Sequence, residues 1–188
     1  MGRWKPDARG RLERAALELY VDRGFEQTTV AEIAGRAGLT ERTFFRYFAD
    51  KREVLFGGAS QLEEFLVGRV ADAPDSLGPL DAAIEGLEAV GTLIEERGTF
   101  GRQRQVVIAA NPELQERELI KLAALSAALA GTLRRRGAED PVASLTAEVA
   151  IAVFKNAFER WAGGSERRDL PQLIRESLEE LRVVTADG

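Results

Sequence analysis

Apolar residues recur three and four positions apart along nearly the whole chain, and no sustained strand-like alternation or internal repeat interrupts them. That pattern predicts an all-α protein. The first stripe is Leu12, Ala15, Ala16, Leu19 and Tyr20, in a helix expected over residues 7–23. Gly24 ends it, and Phe25 turns back as a core anchor. A short second stripe follows in Val30, Ile33, Ala34 and Ala37. Thr29 stands where it caps that helix, and Glu32 three residues later completes a capping box. Gly38 supplies the permissive backbone of a sharp turn, and Leu39 fills the corner. Thr40 caps a third helix over residues 41–48, in which Phe44 and Phe48 lie four apart and face the core. Asp50 and Glu53 repeat the capping pattern, which predicts an unbroken fourth helix from Asp50 through Leu55, Leu62, Phe65 and Leu66 to Val70.

Residues 73–79 hold two prolines and a glycine and break the chain. Beyond them Leu80, Ala83, Ile84, Leu87, Val90 and Ile94 form a stripe that Gly98 closes. Residues 100–110 form the next helix, stopped by Asn111-Pro112. Leu114, Leu119, Leu122, Leu125, Leu129 and Leu133 mark another, which ends in Arg134-Arg135-Arg136 and Gly137. Basic residues at a helix C-terminus complement its dipole, so that triplet is not read as a DNA patch. Residues 142–162 are apolar almost all round, a pattern that requires burial on both sides, and the second burying surface is expected to be another subunit. After a loop at 163–165, Leu170, Leu173, Ile174, Leu178 and Leu181 form the last stripe.

Two short helices joined by a glycine-containing turn are the plan of the DNA-binding helix-turn-helix, whose second helix enters the major groove. The expected division is a DNA-binding domain over 1–52 and a second helical domain over 53–188, to which the resemblance described below assigns sensing and dimerisation. The expected fourth helix is longer than a DNA-binding unit requires and can belong to both domains at once.

Composition narrows the chemistry. The chain has 188 residues, 45% hydrophobic and 30% charged, which suits one or two globular domains. It contains no cysteine and no histidine, which removes disulfides, thiolate nucleophiles, every Ser-His pair and the commonest metal ligand. The neighbours Glu63-Glu64, Glu95-Glu96 and Glu179-Glu180 do not face each other on a helix, so none is a ready acid/base pair. No enzyme activity, cofactor or metal is expected. No stretch reaches the roughly 20 apolar residues of a membrane span, and the basic N-terminus lacks the apolar segment of a signal peptide, so a cytoplasmic protein is expected. The net charge of −5 conceals a split: 11 Lys/Arg against 8 Asp/Glu over residues 1–52, and 15 against 23 beyond. The basic end is the one that carries the helix-turn-helix, as a nucleic-acid-facing segment should be.

The run Thr28-Thr29-Val30, Ile33-Ala34, Ala37-Gly38-Leu39-Thr40, Thr43-Phe44-Phe45, Tyr47-Phe48 and Lys51, preceded by Gly24-Phe25, resembles the tetracycline-repressor (TetR) family of bacterial regulators. The resemblance implies a homodimer of about nine helices per subunit that binds a double-stranded, palindromic operator. It also implies a small-molecule effector cavity in the C-terminal domain and dimerisation through the last two helices. Arg42, Thr43 and Arg46 are the polar candidates for base edges, since arginine bonds bidentately to guanine and a threonine methyl meets a thymine methyl. Phe45 sits where relatives often place tyrosine, which exchanges a hydrogen bond for an apolar contact. Thr28, Thr29, Tyr47 and Lys51 match positions that hold phosphates, and Thr40 joins them at its helix start. Glu41 is expected to cap or to pair with an arginine, and Arg3 and Lys5 lie in a terminus that more often frays than binds.

Candidate effector residues are Phe65, Phe100, Arg104, Phe154, Phe158 and Trp161, although aromatics at this spacing equally serve as core. Val149, Val153, Leu173 and Leu178 are the candidates for the dimer face. The expected function is a repressor released from its operator by a small molecule. The alternative is a DNA-binding dimer without such a ligand, controlled by a protein partner or by abundance.

Overall fold

The computed structural model describes residues 7–164 and 168–186, so Arg3, Lys5 and part of the 163–165 loop lie outside the described residues. Among the described residues there are nine α-helices, a 3-10 turn and no strand. They are α1 (Ala8–Arg23), α2 (Val30–Arg36), α3 (Glu41–Tyr47), α4 (Ala59–Ala71), α5 (Pro79–Glu96), α6 (Thr99–Ala109), α7 (Pro112–Arg135), α8 (Asp140–Gly163) and α9 (Leu170–Ala186), with the 3-10 turn at Glu53–Phe56.

Packing divides the chain into two compact units. The first combines Met1–Ala59 with Gln103–Glu118, and the second combines Ser60–Arg102 with Leu119–Gly188. Compared with the expected boundary at 52/53, the first unit runs on to residue 59 and also takes in the end of α6 and the start of α7. In this unit α1 braces the two helices that follow. Leu12, Ala16, Phe25, Ile33, Phe44 and Val54 are buried there, with Ile108 and Leu114 from the distal segment. That segment is pinned by Arg104, whose guanidinium donates to the Leu55 carbonyl at 2.7 Å, pairs with Glu118 at 3.2 Å and lies over the Phe56 ring. Burial lowers the affinity of Arg104 for its proton, and the charge of Glu118 opposes that loss. Arg117 pairs with Glu53 in the same unit.

The unbroken helix expected from Asp50 is not formed. Asp50 accepts from the backbone N–H groups of Arg52 at 2.8 Å and Glu53 at 3.1 Å, but the turn it closes leads into the 3-10 segment, and α4 begins only at Ala59. Val54, Leu55 and Phe56 are consecutive and all buried, which one face of an α-helix cannot achieve. Gly57 then passes so close to α3 that an added Cβ would lie 2.9 Å from the Phe48 ring. A Gly57-Gly58 pair inside a helix would also cost about 1–2 kcal/mol.

In the second unit α5, α8 and α9 pack closely around Leu87, Val90, Ala147, Ala150, Ala157 and Ile174. Gly86 admits α4, since a Cβ there would meet Val70 at 2.7 Å and Leu66 at 2.9 Å. Leu119 departs from its expected stripe and is exposed, while Leu129 and Leu133 hold it. Arg134 pairs with Asp140, Arg135 donates to the Thr132 hydroxyl, and Arg136 donates to the Ala73 and Pro74 carbonyls, so all three arginines of the triplet are engaged within the fold. No described helix is long and apolar enough to cross a membrane.

Candidate nucleic-acid interface

Both short helices are set by side-chain caps. The Thr29 hydroxyl accepts from the Glu32 N–H at 3.3 Å, and the Glu32 carboxylate accepts from the Thr29 N–H at 2.9 Å, closing the capping box. Two hydrogen bonds donated by Thr29 to the Glu32 carboxylate, one from its N–H and one from its hydroxyl, each at 2.9 Å, hold that carboxyl below its usual value. At the other end of α2, Leu39 N–H donates to Ala34 O at 2.8 Å and Gly38 N–H to Gly35 O at 3.0 Å, with Gly38 at φ 64°. This is the left-handed glycine C-terminus that turns a helix sharply. Arg11 of α1 donates to the Ala37 carbonyl and so braces the turn from behind. Nothing in the sequence marked Arg11 for that task, because its partner is 26 positions away. Thr40 then caps α3, its hydroxyl accepting from Thr43 N–H at 3.2 Å.

The seven residues of α3 and the Phe48 that caps its end are sorted by this placement. Phe44 is fully buried and Phe48 nearly so, their rings 5.5 Å apart. On the opposite side Phe45 is 55% exposed and Tyr47 39% exposed. Arg42 and Arg46 are exposed and Thr43 half-buried. Arg46 stacks 5.0 Å from the Tyr47 ring centroid and donates to its hydroxyl at 3.2 Å. Thr29 and Thr40 are exposed at the starts of their helices. The result is one surface that carries two guanidiniums, two aromatic rings and two helix N-termini. Glu41 is exposed in the first turn of α3 and, of its two expected roles, does not form an ion pair among the described residues.

Two of the expected phosphate ligands are placed otherwise. Thr28 is buried, and its hydroxyl donates inward to the Gly24 carbonyl at 2.9 Å. Lys51 directs its ammonium at the carbonyls of Phe25, Glu26 and Thr28. Both side chains complete the turn between α1 and α2.

The second unit gathers three of the six effector candidates. Phe154, Phe158 and Trp161 form a ladder along α8 with centroids 5.8 and 5.4 Å apart, and Phe158 is half-buried. Phe65 is also half-buried against this core, and Phe100 at the start of α6 is half-buried. Arg104 belongs to the first unit, where Leu55 and Glu118 already engage it. Arg102 stacks 4.9 Å from the Trp161 ring centroid. Among the dimer candidates, Val153, Leu173 and Leu178 are buried in the chain's own core because α8 and α9 pack on each other and on α5. Val149 is half-buried and lies in an outward line with Val142, Leu145, Ala152 and Asn156.

A braced helix-turn-helix with basic and aromatic side chains on its outward face defines a DNA-binding protein of the helix-turn-helix class. Residues 13–56 match the family described as bacterial regulatory proteins, tetR family, and residues 77–186 match the MftR C-terminal domain. The chain belongs to the TetR family of transcriptional regulators. A Mycobacterium tuberculosis transcriptional regulator named MftR, for mycofactocin biosynthesis, is 29% identical over 164 residues, 86% of this chain and 83% of that protein. The regulator TcmR of Streptomyces glaucescens is 30% identical over 153 residues, 78% of this chain and 68% of its own. The crystal structure of the Thermus thermophilus repressor FadR in complex with lauroyl-CoA is similar at a TM-score of 0.55, with 26% identity and 91% of each chain covered.

Proposed function

We propose that the protein is a dimeric repressor that reads a palindromic operator through α3 and is released from it by a lipophilic small molecule. The observation that carries the reading is the division of α3, with Phe44 and Phe48 buried while Arg42, Phe45, Arg46 and Tyr47 point away from the core. Arg42 and Arg46 supply donors for guanine edges, and Phe45 an apolar contact for a thymine methyl. The N-termini of α2 and α3, with Thr29 and Thr40, supply phosphate contacts that set the register.

The dimer is supported by α8. Val142, Leu145, Val149, Ala152 and Asn156 repeat at three and four positions on its outward side, the seam by which one helix packs on another. The effector reading is supported by the aromatic ladder Phe154–Phe158–Trp161, of which Phe158 is half-buried, and by the lauroyl-CoA held by the FadR relative. An acyl chain suits those rings, and Arg102 against Trp161 offers a cation to an anionic head. Release then requires only that the ligand prefer the conformation with lower operator affinity.

Selection of bound duplexes from a random pool, using the full-length protein, tests this. The expected product is a palindrome whose half-site centres lie about 34–36 Å apart or a multiple of that. Lauroyl-CoA should then lower affinity for that duplex. A pool with no bound duplex would defeat the reading. A duplex indifferent to lauroyl-CoA and to other lipophilic metabolites would leave control to a protein partner or to abundance.

A further inference from the structure

Three carbonyl oxygens of the turn before α2 converge on one ammonium. Lys51 Nζ donates to Phe25 O at 2.9 Å, Glu26 O at 3.2 Å and Thr28 O at 3.2 Å. It also lies 4.4 Å from the centroid of the Phe25 ring. A lysine has three N–H donors, and here each has an acceptor. The residue is held at its other end too, because the buried Tyr20 hydroxyl donates to the Lys51 carbonyl at 2.6 Å. Burial, with the charge of Asp50, raises the Tyr20 pKa, so this hydroxyl stays a donor. Lys51 follows the recognition helix by four positions, and its carbonyl partner Thr28 immediately precedes Thr29, the α2 cap. One side chain therefore ties the exit of the recognition helix to the entrance of α2.

We propose that Lys51 is a positioning residue for operator binding, an ammonium clasp that fixes the N-terminus of α2 relative to α3 rather than a ligand of phosphate. This role rests on the operator reading given above. To reach a phosphate the ammonium would have to abandon charge-assisted bonds to three carbonyls, leaving those acceptors without it. The clasp instead holds the α2 N-terminus where its N–H groups and Thr29 meet the backbone of the duplex. It also explains why lysine serves: three donors diverging from one nitrogen fit three convergent carbonyls, whereas the planar fork of arginine does not.

Lys51 is one of only four lysines in the chain, with Lys5, Lys121 and Lys155, so amine acylation read by mass spectrometry resolves it in the wild-type protein. Lys51 should label about ten-fold or more slower than the exposed Lys155, with or without the selected duplex, because charged hydrogen bonds must break first. Labelling as fast as Lys155 in the free protein, followed by protection on adding the duplex, would overturn the clasp.

In binding measured over a salt series, Lys51→Met and Lys51→Arg should both weaken affinity while the slope of log K against log salt stays that of wild type. Loss of a phosphate ligand instead reduces the slope by about 0.9 per lysine. That result, or wild-type affinity in Lys51→Arg, overturns the role. Thr29→Ala should add little to Lys51→Met, since the contact it removes has already been displaced; full additivity also counts against the role. A pool with no bound duplex defeats the operator reading and this role together, whereas fast labelling of Lys51 defeats this role alone.

Discussion

The residues of α3 divide their work by direction. Phe44 and Phe48 anchor the helix in the core of the first unit, and truncating either to alanine belongs to the class of changes that cost about 3–5 kcal/mol. Arg46 has no such duty: it is exposed and touches only its neighbour Tyr47 among the described residues. Arg46→Ala should leave the melting temperature within a degree or so of wild type, as surface changes do. Competition between duplexes that differ at single positions should show a loss of about 1–3 kcal/mol at one base pair if Arg46 reads a guanine. A uniform loss across all duplexes, with a shallower salt slope, would move Arg46 from base to phosphate. The burial of Phe44 and Phe48 was legible from their spacing of four. The inward turn of Thr28 and Lys51 was not, because their partners are carbonyls, and every sequence position carries a carbonyl.

α2 and α3 have seven residues each, too few to be stable helices in isolation. They depend on caps at their starts, on the glycine turn between them and on Arg11 behind it. The capping box adds a pH dependence whose sign follows from Glu32. Its folded-state pKa is lowered by the hydrogen bonds from Thr29, so its contribution to stability is complete above the unfolded carboxyl value, near 4.3, and disappears as pH falls through the folded value. Thermal unfolding followed from pH 7 down to 3 should therefore show a smaller loss of stability in Glu32→Gln than in wild type. Equal slopes would mean that the carboxylate does not cap α2 in solution. The same box was readable from Thr29 and Glu32 three positions apart. The caps also misled once: Asp50 and Glu53 look like a helix start, yet the packing of Val54, Leu55 and Phe56 turned the segment into a 3-10 turn.

Across the whole molecule, the break before α4 changes which elements belong to both compact units. The anticipated continuous helix from Asp50 is absent, α4 gives only its first residue to the first unit, and α6 and α7 are the helices that contribute several residues to each. Oligomeric state is the property of this scale most open to a direct test. Leu145 is 67% exposed and lies on the outward line of α8, so Leu145→Glu places a charge on the proposed seam without entering the core. Sedimentation velocity should show a dimer for wild type and a monomer for the variant, with the helical circular dichroism spectrum retained. A variant that remains a dimer would put the seam elsewhere. Val153→Glu would be uninformative in this assay, because Val153 is buried within its own chain and the charge would unfold it.

Sequence by itself determined the helical class, the order of the helices, the site of the turn and the family, because each of these is written in local spacing: period, cap, glycine, cap. It also separated the inward from the outward face of α3. Only the tertiary structure decided which polar groups remain available and which apolar faces stay open. Thr28 and Lys51 spend their donors on backbone that folding brings to them, and Val153, Leu173 and Leu178 are covered by helices far along the chain. Spacing tells a side chain which way to point on its own helix; what stands opposite is set by segments that spacing does not relate.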